Sequence, residues 1–171
     1  MKPLRTAIIV ILTVAAALAV RRWVAAPIYI ASDSMAPTLS VGRHLVLDRV
    51  TYRFRPPRRG EIIAFHSPIG EEHESVKRVI AVAGDTVELK RKKVYLNGEA
   101  QYERYAYYAR PEEILAGDNL APLTVPPGCL FVLGDNRDNS NDSASWKNPS
   151  TGEPLYFLPL PAITGKVRGI Y

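Results

Sequence analysis

The chain has 171 residues, 47% hydrophobic and 23% charged, which allows one compact domain with an appendage and excludes two full-sized domains, a disordered chain and a multi-span membrane protein. Twenty-two Lys and Arg against 17 Asp and Glu leave a net charge of +5, an excess that suits a membrane surface or a nucleic acid without demanding either. One cysteine, Cys129, and three histidines exclude an intrachain disulfide framework and a Cys-rich zinc site.

Residues 6–20, TAIIVILTVAAALAV, form an uncharged apolar run between Lys2 and Arg5 on one side and Arg21 and Arg22 on the other. A full membrane span needs about 20 residues. This run reaches that length only if Pro3, Leu4 and the stretch WVAAPIYIA contribute while the arginines snorkel. The rival reading is a cleavable signal peptide with Ala17-Leu18-Ala19 as its small-x-small site. The flanking charges differ too little to set the topology.

From His44 onward the hydrophobic period is two. HLVLDRV, EIIAF, SVKRVIAV, TVELK, KVYLNG, LFVLG and ITGKVRGI read as short strands bounded by Gly, Pro, Asn or Asp. The fold class is therefore mostly β, and the 14 prolines and 11 glycines argue against a helical bundle. Asn97-Gly98 is a hairpin signal, because both central residues of a type I′ turn need positive φ. Residues 112–116 alone look helical. The Tyr-rich stretch 101–110 and the segment PEEILAGDNLAPLTVPPG after it break the strand pattern, so residues 88–128 read as a small inserted β subdomain. The basic, Pro-rich RFRPPRRG at residues 53–60 is either a solvated loop or a contact for lipid headgroups or nucleic acid.

His44, His66 and His73 have no paired metal-ligand spacing. The segment DNRDNSND at residues 135–142 has the alternation of a calcium loop, but Ser143 stands where the tight-turn glycine belongs and Pro149 where the closing glutamate belongs. An Asx-rich turn accounts for it without a metal.

Four separated blocks remain: SDSMAPTL at residues 32–39, RGEIIAFHSP, KRVIAVAGD and GDNRDNSNDS. In this order they resemble the type I signal peptidases, membrane-anchored serine endopeptidases with a Ser-Lys dyad. The match covers residues 28–143, and YFLPLPAITGKV resembles the family's last strand.

The resemblance implies Ser34 as nucleophile and Lys77 as general base, with no cofactor and no metal. The chemistry is self-consistent. A serine hydroxyl needs a base to take its proton, and lysine serves near neutral pH only if burial lowers it from about 10.4. Alternation puts Ser75, Lys77, Val79 and Ala81 on one strand face and Val76, Arg78 and Ile80 on the other. From the strand alone, an exposed edge lysine is the alternative. The resemblance further implies Ser32 in the oxyanion hole with the Ser34 N–H, and Ser140 orienting the lysine. Asp142 would be a structural acid, inferred to pair with Arg78. Ile30, Met35, Leu39 and Val76 would form a shallow apolar lining for small substrate side chains. Turn hydrogen bonds are the alternative for these polar residues, and core packing for the apolar ones.

Asp33, Ala31 and Ala144 depart from the family pattern, and the missing arginine at 144 leaves Asp142 short of a partner. The domain reading is an amino-terminal stub and anchor at residues 1–27 and a catalytic β domain at 28–171. The partners implied are preprotein signal peptides and the lipid bilayer, with the translocation machinery as an option and no nucleic acid. The catalytic domain would sit on the trans side of a single-pass membrane protein. Two other readings stand beside this one: a soluble-type Ser-Lys self-cleaving repressor, and a non-enzymatic membrane-tethered binding module using residues 53–59.

Overall fold

The computed structural model describes residues 2–169; Met1, Tyr171 and Ile170, the end of the expected closing strand, lie outside the described residues. Helix α1 (Lys2–Trp23) runs past the apolar stretch that the sequence delimits. Nothing breaks it before Val24, whose N–H still bonds the Val20 carbonyl. The segment Pro3–Trp23 is 21 residues long and apolar enough to cross a membrane, about 31 Å at 1.5 Å per residue. Leu4, Ile9, Ile11 and Leu12 are each more than 60% exposed, and none of the apolar span is buried among the described residues.

In chain order there follow β1 (Ala25–Tyr29), β2 (His44–Asp48), α2 (Thr51–Phe54), β3 (Ile62–His66), β4 (Glu74–Val82), β5 (Thr86–Lys90), β6 (Lys93–Leu96), β7 (Glu99–Ala100), β8 (Leu120–Thr124), β9 (Cys129–Leu133), β10 (Leu158–Pro159) and β11 (Ile163–Arg168). They form a seven-stranded antiparallel sheet, β1-β2-β11-β3-β4-β9-β10, and a four-stranded one, β7-β6-β5-β8. β4 pairs directly with β9, and the chain between them supplies the second sheet. β1 places Ala25–Pro27 in the first sheet, so the sheet begins before residue 28.

Each period-two run is a strand. β1, β8 and β10, which the pattern does not pick out, each contain a proline, and all three are sheet edges. Proline lacks the N–H that a two-sided ladder needs, so an edge is where it belongs. The Asn97-Gly98 turn has φ of 54° and 86° and links β6 to β7, as a type I′ turn requires.

Residues 112–116 form turns rather than a helix. One turn is too short to overcome the nucleation penalty, and the Leu115 N–H bonds the Asp118 carboxylate instead. The short helix α2, unmarked in the sequence, starts where Asp48 accepts the N–H groups of Val50 and Thr51.

Alternation on β3 divides the core. Ala64 joins Ile28, Ile30, Met35, Leu39, Leu45 and Leu47 on one face, while Ile63 and Phe65 pack with Val79, Val132 and Trp146 on the other. A third cluster joins the two sheets through Ile80, Ala81, Phe131 and Leu133 against Val87, Leu89 and Val94. The strict alternation expected along β4 fails here. A register shift between Val79 and Ala81 turns both Ile80 and Ala81 toward the second sheet, as a β-bulge does.

Candidate active site

A groove of about 860 Å³ runs between the segment 27–35, leading out of β1, and residues 71–77, leading into β4. Ser34 and Lys77 meet in it. Lys77 lies opposite Ile63 in the β3–β4 ladder and is 5% exposed, with its Nζ donating to Ser34 Oγ at 2.8 Å. Burial pushes the Lys77 ammonium below the ordinary lysine range, and the charges of Asp142 and Glu71 reverse part of that shift.

The Ser34 loop is fixed from both sides. Met35, 1% exposed, plugs it into the core. The Asn136 N–H donates to the Ser34 carbonyl at 3.0 Å, and Asn136 Nδ2 donates to the Asp33 carbonyl at 3.2 Å. Gly134 makes this approach possible, since any Cβ there would overlap both the Ser140 hydroxyl and the Ser34 carbonyl. Ser32 Oγ is 3.2 Å from Ser34 Oγ. The Ser34 N–H makes no backbone hydrogen bond among the described residues. Beside the Ser34 hydroxyl there is thus a second hydroxyl and, on Ser34 itself, a backbone N–H that no backbone carbonyl among the described residues takes up.

Several expected relations differ. Ser140 Oγ donates to Asp142 Oδ2 at 2.5 Å, and the lysine takes Ser34 as its hydrogen-bond partner instead. Asp142 is buried, accepting also from the N–H groups of Gly134 and Ala144. Burial pushes its carboxyl up, against the hydrogen bonds from Ser140 and Gly134.

Arg78 does not pair with Asp142: its guanidinium makes a two-pronged contact with Asp135, at 2.8 and 2.6 Å, and lies over the Tyr105 ring. Arg78 stands opposite Leu133, and Asp135 lies two residues past it, just beyond the end of β9. The backbone N–H of Ala144 reaches Asp142, so the acid has partners without an arginine there. Ile28, Ile30, Met35 and Val76 border the groove, while Leu39 lies in the cluster beneath it and does not border it. Asp33, which departs from the family pattern, accepts two bonds from Asn139 Nδ2 at 2.9 and 3.0 Å and ties the Ser34 loop to the Asp135–Asp142 segment. Glu71, which also borders the groove, accepts from Ser75 Oγ and from Asn141 Nδ2. Asp33, Glu71 and Asp135 carried no signal of these contacts in the sequence, which does not say which loops meet.

The signal peptidase, peptidase S26 family model matches residues 4–171. The chain belongs to this family. A probable signal peptidase I-1 of Synechocystis sp. is 42% identical over 158 residues, covering 87% of this chain and 72% of its own length. Signal peptidase I of Leptolyngbya laminosa is 40% identical over 142 residues, covering 79% and 67%. A solved signal peptidase I from Enterococcus faecalis is 30% identical, with a TM-score of 0.49, over 66% of this chain and 97% of that one. As a member of the signal peptidase family the chain is a serine peptidase, which removes the non-enzymatic binding module from consideration.

Proposed function

We propose that this peptidase cleaves signal peptides from translocated preproteins through a Ser34–Lys77 dyad and an acyl-enzyme, with its catalytic domain on the trans side of the membrane that α1 anchors. The observation that carries the dyad is the 2.8 Å contact between Lys77 Nζ and Ser34 Oγ, made by a buried lysine with no carboxylate hydrogen-bonded to it among the described residues. Neutral Lys77 takes the hydroxyl proton as Oγ attacks the scissile carbonyl. The Ser34 N–H and the Ser32 hydroxyl receive the oxyanion. Protonated Lys77 then gives its proton to the leaving amine, and water, deprotonated by Lys77, hydrolyses the ester. Ser140 and Asp142 act as positioning residues, the first through the second.

The substrate would lie extended in the groove with alternate side chains turned inward. Ile30, Met35 and Val76 line that groove with apolar side chains, and the resemblance to the signal peptidases implies small residues, as in Ala-x-Ala, at the first and third positions before the cut.

The test is incubation of the purified full chain in detergent with a preprotein, mapping the cut by mass spectrometry. One cut after Ala-x-Ala is expected, absent in Ser34→Ala and slowed about ten- to a hundredfold when Leu replaces the Ala before the cut. Wild-type turnover in Ser34→Ala would end the dyad assignment.

A further inference from the structure

A second pocket, of about 380 Å³, opens where α1 meets the β domain. Its walls carry three arginines, Arg22, Arg49 and Arg53, together with Thr164, against one carboxylate, Glu74. None of these arginines has a carboxylate partner among the described ion pairs, unlike Arg55 and Arg59 of the same basic loop, which pair with Glu61 and Asp85. Arg49 Nη1 reaches only the Arg22 carbonyl, at 3.2 Å. Arg49 Nε and Thr164 Oγ1 are buried with no hydrogen-bond partner among the described residues. Buried donors without protein acceptors are destabilising, so an acceptor that several of these donors could share would be favoured here.

We infer that this pocket binds the phosphate group of an anionic phospholipid. Arginine forks suit a phosphate diester, and the position selects the source. Arg22 and Trp23 end the apolar helix, at the depth where headgroups lie once that helix spans a bilayer. Trp23 stacks beneath both Arg22 and Arg53, each 5.4 Å from its ring. Phe54, 83% exposed beside Arg53, is an apolar side chain with no protein surface to cover and suits the acyl boundary. The inference takes from the anchor reading only the choice of a lipid over a soluble phosphate.

The full chain in a neutral detergent, titrated with short-chain phosphatidylglycerol, short-chain phosphatidylcholine and inorganic phosphate, reports occupancy through Trp23 fluorescence. A saturable change is expected with phosphatidylglycerol, weaker with the other two and absent from Trp23→Phe. Arg49→Gln and Arg53→Gln should each weaken it about five- to tenfold, while Arg49→Gln, which touches nothing in the groove, keeps wild-type cleavage in detergent. A phosphatidylglycerol response unchanged in both arginine variants would overturn the site. Inorganic phosphate binding as tightly as the lipid would overturn the lipid source. Alkaline carbonate extraction tests the anchor separately: release of the chain with the fluorescence response intact upholds the pocket and removes only the anchor.

Discussion

Lys77 and Lys92 are buried almost equally, 5% and 7% exposed, and they serve opposite ends. The Lys92 ammonium donates to Asp138 at 2.5 Å and to the Arg110 carbonyl, with Asp118 at 3.6 Å. It is a structural cation, stapling the β5–β6 turn of the second sheet to the segment that carries Ser140. Lys92 has φ 72° and Arg91 φ 46°, as the two central residues of the β5–β6 turn, a conformation in which non-glycine residues are uncommon. Lys77 has a hydroxyl in front of it, and Asp142, whose charge acts on it, is engaged by Ser140 and two backbone N–H groups. Burial alone does not make a lysine a base. Burial with no directly bonded carboxylate among the described residues favours the neutral amine that the proposed base needs, whereas buried carboxylate partners favour the ammonium.

Exchanging the roles gives the largest expected effects. Lys77→Met should lower kcat/KM for preprotein cleavage on the order of 10⁴-fold or more, with no further loss in the Ser34→Ala, Lys77→Met double variant, since members of one catalytic unit are not additive. Lys92→Met should instead unfold at lower denaturant, losing about 3–5 kcal/mol by stranding Asp138. Its pH–rate profile should stay in place; a shifted profile would show that Lys92 also sets the base.

Asp142→Asn sharpens the comparison from the acid's side. Removing its negative charge withdraws support for the Lys77 ammonium, so Lys77 loses its proton more easily and the rising limb of kcat/KM moves to lower pH. A limb that moves upward would mean that Asp142 does not act on Lys77 by charge. The smallest effect belongs to the surface pair Arg110–Glu113, whose side chains are 48% and 59% exposed. Glu113→Gln should change stability by no more than about 0.5 kcal/mol in thermal or denaturant melts.

The same contrast separates what was legible in the sequence from what was not. Period-two patterning revealed the strands buried on at least one face, because each stripe of apolar side chains must meet a core. It passed over β1, β8 and β10, whose prolines disqualify a central strand while permitting an edge. The Ser34 and Lys77 blocks were recognisable through the order of all four blocks, and Asn97-Gly98 by itself, where turn chemistry is local.

The sequence by itself determined that this is a mostly β chain with one apolar amino-terminal run and the serine and lysine blocks of one peptidase family. Tertiary structure alone decided which acid meets Arg78, that Ser140 reaches Asp142, that Leu39 sits under the groove, and that three arginines from α1, the end of β2 and α2 line one pocket. The physical reason is separation along the chain. Strand alternation and turn preference are properties of neighbouring residues, whereas Lys77 and Ser34 lie 43 residues apart, and Arg78 and Asp135 lie 57 apart. Such distant pairs are brought together by sheet order, register and a bulge, and only their meeting gives each charge its partner and its burial.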